Sequence, residues 1–137
     1  MPAAATNTAA LAGRLMLALI FVVEGWLKIN QYEGTVKYML AYGIPGALLP
    51  LVIVTELAGG ILITVGLLTR FAAIALGGFC LLTAWFFHRD FSNPEQEINF
   101  YKNLAMAGGF LVLAAYGAGG WSIDAWRGRS WRARQQF

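Results

Sequence analysis

The sequence predicts an all-α integral membrane protein: a four-helix bundle with an interfacial helix between helices 1 and 2 and an amphipathic C-terminal tail. Three observations lead there. The chain of 137 residues is 58% hydrophobic and only 12% charged, with a mean hydropathy of +0.60, too apolar for a soluble domain of this size. Four apolar runs are of a length to cross the ~30 Å hydrocarbon layer at ~1.5 Å per residue. Sixteen glycines suit helices that must approach closely where lipid supplies no hydrophobic force between them. A single membrane domain over residues 1–137 accounts for the chain.

The spacing predicts spans at about 9–29, 47–69, 71–88 and 94–117, with interfacial segments at about 31–43 and 121–134. The first apolar run follows Arg14 but has no basic stretch ahead of it and no small-x-small cleavage site. It also continues through Glu24 and Lys28, so it is expected to be kept as a helix and not removed as a signal. Glu24 and Lys28 are four apart with the acid first, the favourable order for a helical ion pair. In the segment that follows, Val36, Met39 and Leu40 share a stripe, Glu33 and Lys37 have the same pair spacing, and Tyr32, Tyr38 and Tyr42 suit the headgroup layer. Gly43, Pro45 and Gly46 turn the chain into the second span, where Pro50 falls in the first turn. The second and third spans are separated so briefly around Leu67–Arg70 that they form an antiparallel hairpin. Trp85, Phe86 and Phe87 make an aromatic girdle before His88 and Arg89. Asn93 is placed as an N-cap, with Pro94 as first helical residue and Gln96 able to reach back. Gly119 and Gly120 stop the fourth span, and Trp121, Trp126 and Trp131 interleave with arginines in the tail.

Arg14, Arg70, Arg127, Arg129, Arg132 and Arg134 lie toward the side of the termini, against Lys28, Lys37, Arg89 and Lys102 on the other. The positive-inside rule then places both termini in the cytoplasm. The formal charge of +3 is concentrated in the basic tail, which fits anionic lipid and topology and not nucleic acid. Cys80 is the one cysteine, which excludes an intrachain dithiol, and His88 is the one histidine, which excludes a bis-histidine haem or a three-histidine zinc site within one chain. No intrinsic cofactor or metal is expected, so a redox centre would come from a partner or a bound small molecule. Close helix packing is expected at Gly59, Gly60, Gly66, Gly77, Gly78, Gly108 and Gly109. LAGGIL in the second span and MAGGFL in the fourth form a faint internal echo.

One acid, Glu56, sits well inside the second span. A charge at the bilayer centre costs at least ~2.5–3.5 kcal/mol, so Glu56 must face other helices and a partner there, or hold a proton. With this topology Glu24, Lys28, Glu56, His88, Lys102 and Asn103 converge on the outer half as a polar pocket, a candidate proton or quinone site. The inner half is expected to be a dry plug of Leu, Ile, Val, Ala and Gly. Each residue also has a plainer role. Glu24 and Lys28 make a structural pair, Glu56 pairs with Lys28 or Lys102, His88 is solvated at the boundary, and Lys102 snorkels. Thr55, Thr64 and Thr83 are expected to bond their own helix backbones.

The helix GRLMLALIFVVEGWLKI, the GIPG loop, the segment TELAGGILITVGLLTR, a hydrophobic helix ending in FH, and FYKNLAMAGGFLVLAAYGAGGWSID together resemble the DoxX family of small bacterial and archaeal four-helix membrane proteins. The resemblance spans roughly residues 11–124. Glu56, Arg70, His88 and Asn103 match positions of the family pattern; Glu24 departs from it, since a small residue such as serine often stands there. The resemblance implies a multi-pass protein of the bacterial inner membrane, associated with quinone-linked oxidation or with membrane oxidoreductase complexes. The function expected is therefore a membrane subunit of such a complex, with an outer-facing pocket, a possible quinone and an anchor for a redox partner. A small proton-coupled transporter working as a homo-oligomer, or an assembly subunit without activity of its own, are the alternatives. Expected partners are the lipid bilayer and other membrane or redox subunits.

Overall fold

The alanine-rich start of the chain favours helix strongly enough to begin it well ahead of the membrane. In a computed structural model that describes residues 2–134, α1 runs Ala3–Asn30, six residues earlier than the apolar run alone suggests. Gln31 breaks it, and α2 (Tyr32–Ala41) follows. A short 3-10 turn at Gly46–Leu48 leads into α3 (Leu49–Val65), then come α4 (Thr69–Phe87), α5 (Pro94–Tyr116) and α6 (Ile123–Arg134). Four of these, α1, α3 with its 3-10 lead-in, α4 and α5, are long and apolar enough to cross a membrane. The Asn93 side chain caps α5 by accepting from the Glu95 N–H at 3.0 Å, as its position predicts.

The α3–α4 hairpin differs in detail from the expected abutting spans. Gly66 ends α3 in the left-handed region at φ 69°, and the Leu67 N–H returns to the Leu62 carbonyl at 3.0 Å. Gly66 is thus a turn residue, since only glycine takes this conformation without strain, and it is also closely packed as expected, because a side-chain carbon there would collide with Arg14 and Ser122. Leu68 also has a positive φ, 48°. It is held by the Asp124 carboxylate, which accepts from the Leu68 N–H and the Thr69 N–H, both at 2.9 Å, and so caps α4 from a distant helix.

α1 packs along α3, α4 packs along α5, and α3 meets α4. A side-chain carbon on Gly60 would sit 3.2 Å from the Val22 backbone nitrogen, and one on Gly25 would sit 3.2 Å from that of Leu57. These two glycines set the α1–α3 approach. Gly59 faces Leu76, Gly77 faces Phe110, and Gly109 faces Leu17. Gly78 and Gly108, also expected at helix contacts, have nothing within 4 Å of that position. Neighbouring residues on a helix point about 100° apart: on α3, Gly59 faces α4 and Gly60 faces α1, so both serve, whereas on α4 Gly77 faces α5 and Gly78 borders a cavity.

Phe21, Ile63, Leu76, Cys80, Ala107 and Phe110 form the buried core, with Phe21 and Phe110 edge to face at 5.4 Å. Large apolar side chains such as Met16, Phe71 and Leu111 point outward, the arrangement of a protein whose solvent is lipid.

The end of the bundle that carries the termini is not the dry plug expected. Arg14 is 2% exposed and donates from Nη1 to the Ala118 carbonyl at 3.1 Å and from Nη2 to the Trp121 carbonyl at 2.9 Å. The Gly120 N–H donates to Asn7 Oδ1 at 2.9 Å, and the Asp124 N–H to the Gly66 carbonyl at 2.8 Å. The α5–α6 connection folds back over α1 and supplies these carbonyls, which apolar patterning does not reveal. Burial alone would push the Asp124 carboxyl up, but the Thr69 and Leu68 N–H groups and nearby Arg127 outweigh it and hold it below the usual carboxylate range. Arg70, Arg127 and Arg129 are exposed; Arg132 and Arg134 belong to α6, but their side chains fall outside the part described. The Glu33–Lys37 pair does not form: among the described residues the ion pairs are those of Lys28 with Glu24 and with Glu56. Both Glu33 and Lys37 are exposed, where such a pair gains little.

Candidate functional site

In the half of the bundle under α2 the helices enclose an open cavity of about 1330 Å³. Its walls come from the C-terminal half of α1, α2, the start of α3, α4 and the N-terminal half of α5. Phe21, Phe79 and Met106 lie where it meets the core. Most of the lining is aliphatic or aromatic. The six polar residues singled out from sequence, Glu24, Lys28, Glu56, His88, Lys102 and Asn103, all line this one cavity.

They do not form one cluster. Lys28 Nζ donates to Glu24 Oε2 and to Glu56 Oε1, each at 3.1 Å, so a single ammonium bridges two carboxylates. The partner of Glu56 is therefore Lys28 and not Lys102. The i, i+4 spacing brings Glu24 to Lys28 along α1, while the close α1–α3 approach at Gly25 and Gly60 brings Glu56 across. Side-chain exposure falls from 48% at Glu24 through 20% at Lys28 to 5% at Glu56, so the triad runs from the surface inward. The second oxygen of Glu56, Oε2, is buried without a hydrogen-bond partner. Among the described residues Arg14 Nε and Thr69 Oγ1 are also buried without a partner, but of the three only Glu56 lines the cavity, where the gap points to a missing donor.

His88 belongs to the rim. Its Nδ1 lies 2.6 Å from Gln96 Oε1; the amide oxygen only accepts, so Nδ1 carries the hydrogen in this pair. Gln96 in turn donates to the Tyr42 hydroxyl at 3.3 Å. Gln96 thus ties α5 to α2 and α4 instead of reaching back to its own helix start. Tyr38 stacks on Phe87 at 5.5 Å and Tyr42 meets the same ring edge-on at 5.2 Å. Burial first, then the neighbouring Tyr42 hydroxyl, pushes the Tyr38 hydroxyl up to about 12, so it stays a neutral phenol. Asn103 donates to the Asn99 carbonyl at 3.0 Å. Lys102 lines the cavity from α5 with no ion-pair partner among the described residues. Thr55 and Thr64 bond the carbonyls of Leu51 and Gly60, both at 2.8 Å, as expected, whereas Thr83, expected to do the same, lines the cavity and makes no such bond among the described residues.

The residues missed from sequence are instructive. Gln96 and Tyr42 meet across a loop and two helices, with no spacing signal. Arg14 did carry one: an ionisable residue within a long helix is itself a flag.

Chemically, a mostly apolar cavity with polar groups gathered on its α1–α3 and α5 walls suits an amphiphile with a large apolar body and a compact hydrogen-bonding head.

The DoxX family model matches residues 9–89. Inner membrane protein YqjF of Escherichia coli (strain K12) is 46% identical over 121 residues, covering 88% of this chain and 93% of that protein. Inner membrane protein YphA of the same organism is 38% identical over 122 residues, 83% of this chain and 86% of that protein. "Putative oxidoreductase CatD" of Bacillus subtilis (strain 168) is 33% identical over 61 residues, 44% of this chain and 46% of that protein. No solved structure gives a significant match. The family match and the two long alignments agree with four apolar helices of spanning length: the chain belongs to the DoxX family of membrane proteins.

Proposed function

We propose that this chain is the membrane subunit of a quinone-linked oxidoreductase complex, and that the cavity under α2 is where it holds the quinone. The observation that carries this is the cavity: apolar walls of a size for a ring and the start of an isoprenoid tail, with the Glu24–Lys28–Glu56 triad at one side. With one cysteine and one histidine, the chain has no dithiol or paired histidines of its own for electron transfer. A mobile carrier and a partner subunit supply that chemistry. The oxidoreductase name of the Bacillus subtilis relative is consistent with this role.

The arginines at the terminal end support, by the positive-inside rule, a topology with both termini in the cytoplasm and the cavity toward the outer face of the inner membrane. Labelling of an introduced cysteine at Ser92 by an impermeant reagent in intact spheroplasts tests the orientation; Cys80 is buried and gives little background. Gentle detergent extraction followed by native mass measurement and lipid extraction tests the function. A bound quinone or a co-extracted redox subunit is the expected result. A chain recovered alone, free of quinone, from cells rich in it overturns the reading.

A further inference from the structure

We propose that the cavity is selective for the reduced, hydroxyl-bearing form of its ligand, a p-hydroquinone, through a hydrogen bond from that hydroxyl to Glu56 Oε2. This rests on the reading of the cavity as a quinone site and specifies which redox form it favours.

The polar atoms around the cavity differ in what they lack. Glu24 is half exposed and meets water. Glu56 is 4% exposed; its Oε1 accepts from Lys28 at 3.1 Å, and its Oε2 has no partner. No backbone N–H can fill the gap, since Glu56 sits in the middle of α3 with its neighbours' amides used by the helix. Thr55, next in sequence, already spends its hydroxyl hydrogen on the Leu51 carbonyl. A carboxylate beside an ammonium is an acceptor and not a donor. It therefore calls for a ligand that brings a hydrogen.

Of the two forms of a quinone, only the hydroquinone does so. The quinone carbonyl is itself an acceptor and would place two oxygens against each other in a dry site. A hydroxyl bonded to a charged acceptor gains more than a neutral pair, enough for a preference of tenfold or greater. Phe79 and Phe21 line the same cavity and offer apolar contact to either ring alike, so they contribute affinity and not discrimination. Tighter binding of the reduced form also raises the reduction potential of the bound couple, by about 30 mV for each tenfold in a two-electron couple. The bound quinone is then a better electron acceptor than the free one.

The test uses the full chain in lipid nanodiscs under anaerobic conditions with three probes: decylubiquinol, decylubiquinone and the O,O-dimethyl ether of the quinol. The ether keeps the ring and tail but has no hydrogen to donate. The wild-type protein is expected to bind the quinol at least tenfold tighter than either other probe. Glu56→Gln, whose amide both donates and accepts, should reduce that preference below about threefold. Equal binding of quinol, quinone and ether by the wild type overturns the proposal while leaving the quinone site standing, and tighter binding of the quinone overturns it in the same way. Absence of binding by all three removes the quinone site and this inference with it. The wild-type comparison of quinol with its ether needs no variant, so a Glu56→Gln protein that fails to fold does not protect the proposal.

Discussion

The two ends of the bundle solve the same problem differently. At the end carrying the termini, Arg14 is buried but its terminal nitrogens meet two carbonyls, while Asn7 and Asp124 pin the α5–α6 connection and the α3–α4 turn. Charge there serves as a clasp between segments far apart in sequence. At the other end one ammonium is shared by two carboxylates, a carboxylate oxygen is left over, and a large cavity stays open. Each end keeps a buried polar atom without a partner, Arg14 Nε and Thr69 Oγ1 at one and Glu56 Oε2 at the other, but only Glu56 borders the cavity. The difference teaches that a buried charge marks a candidate site where open space adjoins it, and structure where a folded-back connection covers it.

The sharpest way to break this contrast is to remove Lys28. Lys28→Met leaves Glu56 buried beside no cation, the situation in which losing one member of a buried pair is most costly, about 3–5 kcal/mol. Thermal unfolding in detergent or nanodiscs should show the loss, and ligand affinity should fall with it. Arg14→Ala comes next, at about 2–3 kcal/mol for hydrogen bonds from a charged donor. The folded fraction should keep the wild-type quinol affinity, because Arg14 lies outside the cavity. An Arg14→Ala protein of normal stability, or one that has lost ligand affinity, would remove the distinction between the ends.

The fold was legible because membrane spans follow from length and apolarity, and caps such as Asn93 from local chemistry. That Glu24, Lys28, Glu56 and Lys102 line one cavity was legible for a related reason: their positions along the spans put them at the same end of the bundle, which needs no knowledge of helix rotation. Which of them touch was not legible, since α3 is apolar all round and its phase is set by Gly25 and Gly60 at the α1 contact. The same blindness assigned Gly78 and Gly108 to helix contacts they do not make. Arg14 was counted as a marker of the membrane edge because nothing in its own neighbourhood shows that residues 118–121, a hundred positions later, fold over it.

Asp124 offers a smaller, pH-dependent test of the clasp. Its carboxyl lies below its ordinary value of 3.8 in the folded protein, so its contribution to stability is complete above that pH and is lost as pH falls through the depressed folded value. The sign is that of a carboxylate stabilised by folding. Asp124→Asn keeps at most one of the two bonds to the start of α4 and should cost about 1 kcal/mol at neutral pH. That difference should shrink toward zero under acid, measured as the gap between the two unfolding midpoints from pH 7 to pH 3. A constant gap would mean that the carboxylate charge contributes nothing there.

The smallest effect concerns the two halves of the Lys28 bridge. Both distances are 3.1 Å, yet Glu24 is half exposed and Glu56 is buried, so equal geometry should not give equal coupling. Water screens the Glu24 pair, which falls in the range of ~0.2–1 kcal/mol for exposed pairs and toward its lower end for i, i+4 partners. The Glu56 pair lies in a drier setting and should couple several-fold more strongly. Double-mutant cycles with Lys28→Gln against Glu24→Gln and Glu56→Gln separate the two, because each cycle cancels the cost that a single change imposes elsewhere. Equal coupling energies would show that the buried end of the triad is as well hydrated as its mouth, and an oxygen that water can reach needs no ligand hydroxyl.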